Sequence, residues 1–242
     1  MGNGPKSSQS VTTCLECPFC TETEWDALDA AQHELLEKAK RVEHYNPGDT
    51  LFFQGEEGSG VYCIRSGLVG LRRVDSNGNS VLLQLVDEGT TVGYRTFVTR
   101  EPHSSSAEVL SPSQVCYFSG PQIEKVLAAN PRLNEKFLQH FTRDAIEVED
   151  SYVKSMTMGM KSRFLHLMLE FYEHYGYTDQ SGEVVMDLPV ARGELAELVG
   201  VRPESISRLI DKLQSDDVMH FNQRRVRFTD LERIREEAGV EV

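Results

Sequence analysis

The 242-residue chain has no run of 18 or more apolar residues, the length a membrane-spanning helix requires. Its opening, MGNGPKSSQSVTT, has neither the charged start nor the apolar centre of a secretory signal. It therefore reads as a soluble, cytoplasmic protein with no membrane partner. Cysteine is scarce, with five in the whole chain. Without an export signal these do not suggest a disulfide framework, because the cytosol keeps thiols reduced, and metal ligation or redox chemistry is left. Catalytic signatures are missing too: there is no phosphate-binding P-loop, no G-x-S-x-G elbow, no H-E-x-x-H and no legible Ser, His and Asp set, so an enzyme is not expected. Positive charge is also short, with 25 Lys and Arg against 38 Asp and Glu and a net charge of -13. Such a chain is a poor overall match to a phosphate backbone, so any nucleic-acid function must rest on local arrangement. One basic island exists, where Arg202, Arg208, Lys212, Arg224, Arg225 and Arg227 outnumber Glu204, Asp211, Asp216 and Asp217.

A hydrophobic content of 39% suffices for two small cores and a connecting element. Residues 1–13 are polar and Ser/Thr/Gly-rich, and read as disordered. Residues 21–40 read as a helix opened by a Thr21/Glu24 capping box, with Trp25, Leu28, Leu35 and Leu36 on one face. From 45 to 118 the chain changes to short β-type runs, TLFFQ, VYCIRSG, LVGLRRV, SVLLQLV and QVCYF. Turn signals such as Asn46-Pro47-Gly48-Asp49 and Ser76-Asn77-Gly78-Asn79 punctuate them, as in a small antiparallel roll. Pro121 opens a helical region in which Leu138, Phe141, Ala145, Val148 and Tyr152 step by 3, 4, 3 and 4 residues. That spacing fits the seam of a two-stranded coiled coil, and hence a homodimer; the alternative is a stripe packed on the chain's own roll. Asp144, Glu147, Glu149 and Asp150 place like charges beside the seam, which would leave it near balance and open to switching.

In ARGELAELVGVRPESISRLIDKLQSDDV the apolar residues Leu195, Ala196 and Val199, then Ile206, Leu209, Ile210 and Leu213, describe two helices sharing one core. Gly200 gives the turn its backbone freedom, and Pro203 suits a first helical position. Near the start of the second helix Arg202, Glu204, Ser205, Ser207, Arg208 and Lys212 are available to a DNA groove, where a recognition helix meets base edges. An ordinary helical hairpin with a solvated face is the plainer reading. A buried helix through Phe164–Leu169 and strand runs at EVVMDLPV and Val226–Phe228 complete a winged helix-turn-helix pattern.

The stretch from Arg192 to Asp216 resembles the helix-turn-helix of the Crp/Fnr family, particularly its Fnr branch, whose recognition helix carries E-x-x-S-R, here Glu204, Ser207 and Arg208. Arg202 stands where the family usually has Ser or Thr. PGDTLFFQGEEGSGVYCIRSGLVGLRRV is similar to the first half of the family's β-roll, and GTTVGYRTF to its later glycine-marked strand. The resemblance implies an α+β fold with four parts: residues 1–36 as a cysteine-containing segment and helix, 37–120 as a cyclic-nucleotide-binding-like sensory β-roll, 121–158 as a long dimerisation helix and 159–242 as a C-terminal winged helix-turn-helix domain. It further implies a transcription regulator that binds inverted repeats of TTGAT-like half-sites as a homodimer and partners RNA polymerase. Carboxylate-to-cytosine and Arg-to-guanine contacts suit that readout.

In cyclic-nucleotide-binding members an acidic residue follows the strand glycine and an Arg-Ser pair comes later. Here those places hold Gly93-Tyr94-Arg95 and His103-Ser104-Ser105-Ser106-Ala107, so cyclic AMP is disfavoured, while Arg95 leaves another anion open. The run Cys14, Cys17, Cys20 has C-x2-C-x2-C spacing, which suits one compact metal centre and is commoner for iron-sulfur than for zinc. SPSQVCYF resembles the segment supplying the distant cysteine ligand of oxygen-sensing Fnr proteins, which implies Cys116 as fourth ligand of a 4Fe-4S cluster. Zinc at these thiols is one alternative, and a small-molecule or haem effector with His44 or His103 as axial ligand is another. Cys63, flanked by Tyr62 and Ile64, reads as a buried apolar thiol.

Overall fold

The computed structural model describes Thr13, Cys14, Cys17 and residues 23–239. The chain divides between Glu147 and Val148 into two compact units.

The first unit is built on strands whose alternate side chains serve two layers. β1 (Arg41–Tyr45), β3 (Gly60–Ser66), β6 (Thr91–Val92) and β8 (Ser113–Ser119) form one antiparallel sheet in the order β1-β8-β3-β6. β2 (Thr50–Phe52), β4 (Val69–Val74), β5 (Ser80–Val86) and β7 (Ser106–Val109) form the other, ordered β2-β7-β4-β5. Tyr62, Ile64, Val115 and Tyr117 of β3 and β8 join Val69, Val86 and Val109 in the roll interior. The intervening Val61, Cys63, Cys116 and Phe118 face the opposite side. There they meet Trp25, helix α1 (Ala30–Ala39), helix α3 (Gly120–Ala129) and the start of helix α4 (Pro131–Thr157) through Leu36, Ile123, Val126, Leu133 and Phe137.

Three of the expected elements take a different form. Glu24–Ala27 is a single 3-10 turn, and the helix begins only at Ala30. The Asp29/Gln32 capping box starts it, with Gln32 N–H donating to Asp29 at 2.8 Å and Asp29 N–H donating to Gln32 at 3.1 Å. Thr21 and Cys20 lie outside the described residues. Only Thr91–Val92 of GTTVGYRTF is strand; Gly93 takes φ +87° and Tyr94–Thr99 forms a short helix, α2. The region expected as one helix over 121–158 is broken at Asn130. That buried side chain accepts from Leu133 N–H at 3.0 Å, capping α4 ahead of Pro131, and donates to Ala27 O and Gln32 Oε1 at 2.8 Å each.

The second unit packs helix α5 (Met160–Tyr175) with helices α6 (Arg192–Val199), α7 (Pro203–Ser215) and α8 (Leu231–Ala238) and one antiparallel sheet. Its strands are β9 (Gly176–Thr178), β10 (Val184–Asp187), β11 (Met219–Asn222) and β12 (Arg225–Phe228), in the order β11-β12-β10-β9. Phe164, Leu165 and Met168 of α5, Leu195 of α6, and Ile206, Ile210 and Leu213 of α7 are all fully buried, as the apolar spacing predicts.

Trp25, the only tryptophan, is 4% exposed and contacts Phe118 and Phe137 at centroid distances of 5.5 and 5.6 Å, while its Nε1 donates to Thr91 Oγ1 at 3.1 Å. Trp25→Ala is expected to destabilise this unit by about 3–5 kcal/mol in urea unfolding followed by circular dichroism, and Trp25→Phe by clearly less. A loss below about 1 kcal/mol for the alanine variant would refute this packing role.

Candidate functional site

Three groups of chemistry-bearing residues stand out, two in the first unit and one in the second. In the first, Cys14, Cys17, Cys63 and Cys116 line a single cleft, partly open to solvent, with about 560 Å³ of empty space. Cys63 and Cys116 stand directly opposite each other on β3 and β8, which places both side chains on the outer face. Cys14 is 8% exposed, Cys116 is 9% exposed and Cys17 is half-buried. Among the described residues no three His, Cys, Asp or Glu side chains already stand close enough together to hold a metal ion. The donor set nonetheless suits a thiolate-bound centre, because three thiols expected as ligands face one cleft beside the buried ammonium of Lys40.

Burial pushes the Cys116 thiol up to about 11, with Cys14 and Cys17 adding to the rise and Lys40 and Arg65 opposing it. Burial raises Cys63 as well, against a contact with Thr91 Oγ1 at 3.4 Å. These two thiols stay protonated near neutral pH, so a metal must displace a proton to bind either. His33, Lys40 and the cross-strand Cys63 were not identified from the sequence; they reach the cleft through tertiary packing.

A second cleft, beside Gly93, is lined by Phe52, Tyr94, Arg95, His103 and Asp144. Arg95 donates to Asp144 at 3.3 Å, and the Tyr94 hydroxyl donates to the same carboxylate oxygen. The anion that Arg95 could hold is thus supplied by α4. Asp144, read from the sequence as a charge beside the coiled-coil seam, faces the roll instead and is only 16% exposed. The two histidines weighed as haem ligands are otherwise engaged. His44 is exposed and lies 3.3 Å from Gln114 Nε2, and buried His103 stacks on Phe52 at 3.8 Å.

Along α4, Leu138, Ala145, Val148 and Tyr152 are exposed, while Phe141 is half-buried against Tyr94 at 4.6 Å. Ile146, Val153 and Met156 of the same helix are exposed as well. Helix α6 ends at Gly200, whose φ of +72° closes the turn, and Val201 N–H bonds back to Ala196 O at 2.9 Å. Pro203 then opens α7; Arg202 at its N-cap provides no side-chain cap, as expected of a group with no acceptor. Arg202, Glu204, Ser207, Arg208 and Lys212 are exposed, and Ser205 is half-buried. Ser207 Oγ donates to Pro203 O at 3.1 Å and Arg208 Nε to Glu204 O at 3.3 Å, so both side chains fold back on their own helix. In the wing, Arg225 pairs with Asp179 at 2.5 Å and Arg227 with Glu183 at 3.4 Å, while Arg224 is exposed in the hairpin loop.

Comparison with known proteins agrees with both units. Residues 42–130 match the cyclic nucleotide-binding domain, and residues 162–237 the Crp-like helix-turn-helix domain. A transcriptional regulatory protein of Bordetella pertussis is 26% identical, covering 86% of this chain and 84% of its own. The fumarate and nitrate reduction regulatory protein of Vibrio cholerae is 22% identical, covering 97% and 95%. The crystal structure of a CRP/FNR-family transcriptional regulator from Thermus thermophilus superposes with a TM-score of 0.66 at 24% identity, covering 82% of this chain and 98% of that one. With a β-roll that matches the cyclic nucleotide-binding domain and a second unit that presents a Crp-like helix-turn-helix, this chain belongs to the Crp/Fnr family of DNA-binding transcription regulators, which are not enzymes.

Proposed function

We propose that this regulator binds inverted repeats of TTGAT-like half-sites as a homodimer, under the control of a 4Fe-4S cluster held by Cys14, Cys17, Cys20 and Cys116, and acts on RNA polymerase from that site. The observation that carries the sensory part is that Cys14, Cys17 and Cys116, brought from opposite ends of the unit's sequence, line one cleft beside a buried cation. When bound, such a cluster supplies iron that reacts with oxygen, nitric oxide or oxidants.

The coupling lies in the chain itself. The turn at Glu24–Ala27 follows the cysteine segment and is strapped to α4: Lys136 pairs with Asp26 at 2.9 Å, His140 lies 3.7 Å from Glu24, and Trp25 packs edge-on against Phe137. Ordering the cysteine segment therefore favours one setting of the helix that carries Leu138, Ala145, Val148 and Tyr152. A pinning energy of a few kcal/mol is enough to shift a near-balanced association. At the DNA end, exposed Glu204, Ser207, Arg208 and Lys212 are available for base readout, with Ser205 beside them and Arg202 available to a phosphate.

Anaerobic purification followed by iron and sulfide analysis and a visible spectrum tests the cluster. Serine at Cys14, Cys17, Cys20 or Cys116 is expected to abolish the chromophore and weaken dimerisation and DNA binding together, whereas Cys63→Ser keeps the metal. Full iron and sulfide in Cys116→Ser would move the fourth ligand elsewhere. At the seam, Val148→Glu is the cleaner disruption, because Val148 is 62% exposed whereas Phe141 also packs on the roll. It should yield a folded monomer by light scattering; an unchanged dimer would place the seam elsewhere. Arg208→Ala is expected to reduce specific binding by about 1–3 kcal/mol with the loss concentrated at one base position, and uniform weakening across operator variants would make Arg208 a phosphate contact instead.

A further inference from the structure

The C-terminal turn of α1 reaches the cysteine segment through polar contacts that the proposed ligand set does not use. Cys14 N–H donates to Glu37 Oε2 at 2.6 Å. Lys40 Nζ donates to the same oxygen at 2.7 Å and lies 3.7 Å from Cys14 Sγ. Three residues thus close a triangle in which one carboxylate oxygen receives both the backbone of Cys14 and the ammonium directed at its sulfur. The Lys40 side chain is 9% exposed and that of Glu37 29%, so the contact is shielded well beyond an ordinary surface pair.

Local structure sets this geometry. Lys40 N–H bonds to Leu36 O at 2.8 Å and ends the helix, and the chain then turns into extended backbone toward β1. Leu36, 2% exposed, anchors that last turn in the core. Glu37 and Lys40, three residues apart, then share one helix face. An isolated buried ammonium is costly, and Glu37 alone is a surface-edge partner for it. A thiolate-bound centre adds negative charge in the same cleft, on the side where Lys40 faces Cys14 and Cys116.

We infer that Glu37 and Lys40 are positioning residues for the metal centre, Glu37 fixing the backbone of Cys14 and Lys40 directing positive charge at its sulfur. The inference rests on the proposed metal-binding role of Cys14, but its test does not require iron or sulfide. Amide exchange at Cys14 and cobalt(II) affinity, read from thiolate-to-metal absorption, are measured on metal-free full-length protein. Loss of an outer partner of a metal ligand typically costs about 10- to 100-fold in affinity. Glu37→Ala is expected to speed exchange of the Cys14 amide and weaken cobalt binding by that factor. Glu37→Gln keeps an acceptor for the amide but loses the charge that holds Lys40, so exchange stays slow while cobalt binding weakens. Lys40→Met, which retains an apolar stem, weakens cobalt binding, and Lys40→Arg restores it. Cobalt affinity within twofold of wild type in both Glu37→Ala and Lys40→Met overturns the inference, as does a loss in Lys40→Met that Lys40→Arg fails to recover. If Glu37→Ala does not fold, the Lys40 pair decides. Protein purified anaerobically without iron and sulfide would overturn the cluster reading alone, because the cobalt and exchange results stand apart from it.

Discussion

The pairing of β3 with β8 is the constraint on which the first unit depends. Its register sets Val61 opposite Phe118, Tyr62 opposite Tyr117 and Cys63 opposite Cys116. Because side chains alternate at every residue, this one alignment fills the roll with Tyr62, Ile64, Val115 and Tyr117 and presents the cysteines on the other face. A slip of one residue would bury Cys116 inside the roll and turn Tyr117 onto α1. The two apolar layers that meet on this ladder therefore hold the cysteine position as firmly as they hold the fold, and a metal ligand there needs no separate support from a loop.

The same outer layer carries the path from the cysteines to α4. Trp25 touches β8 and α4 at once, and the ion pair of Asp26 with Lys136 and the approach of Glu24 to His140 lie on either side of it. Asp144 adds a contact from the opposite direction, taking the Tyr94 hydroxyl and the Arg95 guanidinium beside the roll's own cleft. One carboxylate on α4 thus occupies the cation that an external anion would otherwise claim. Glu147, Glu149 and Asp150 of the same helix stay exposed.

What could be read in the sequence was local. Gly200, Val201 and Pro203 specify a turn and a helix start within four residues, and the apolar spacing of α7 marks its buried face without reference to any other part of the chain. The break at Asn130-Pro131 was equally local, since an N-cap residue before proline is a helix-start signal; the single dimerisation helix that the resemblance implies over 121–158 runs straight through it. The remaining features depend on distant partners. Asp144 takes its role from Tyr94 and Arg95, fifty residues away for Tyr94, and Lys40 from Cys14, twenty-six residues away. No periodicity or motif encodes such pairs, because only the packed sheet and helices bring them together. β1 was missed for a related reason: RVEHY is half exposed and lacks apolar alternation, and it is strand because β8 offers it a ladder from Arg41 to Tyr45.

The charge balance of the DNA-binding unit follows from the same accounting of partners. Arg225 and Arg227 of the wing are offset by Asp179 and Glu183 within the unit, so they brace β12 against its own sheet and contribute little net field. Arg202, Arg208 and Lys212 are exposed on and just before α7, interleaved with Glu204 and Asp211, and Arg192 and Arg224 are exposed elsewhere in the unit. A surface of that kind gains little from counterion release on arbitrary DNA, because few phosphates are neutralised for each unit that binds. For such a surface affinity depends more on fitted contacts at base edges than on net charge. An acidic chain with a short mixed-charge helix in its helix-turn-helix is therefore better suited to discriminate among DNA sites than to bind DNA generically.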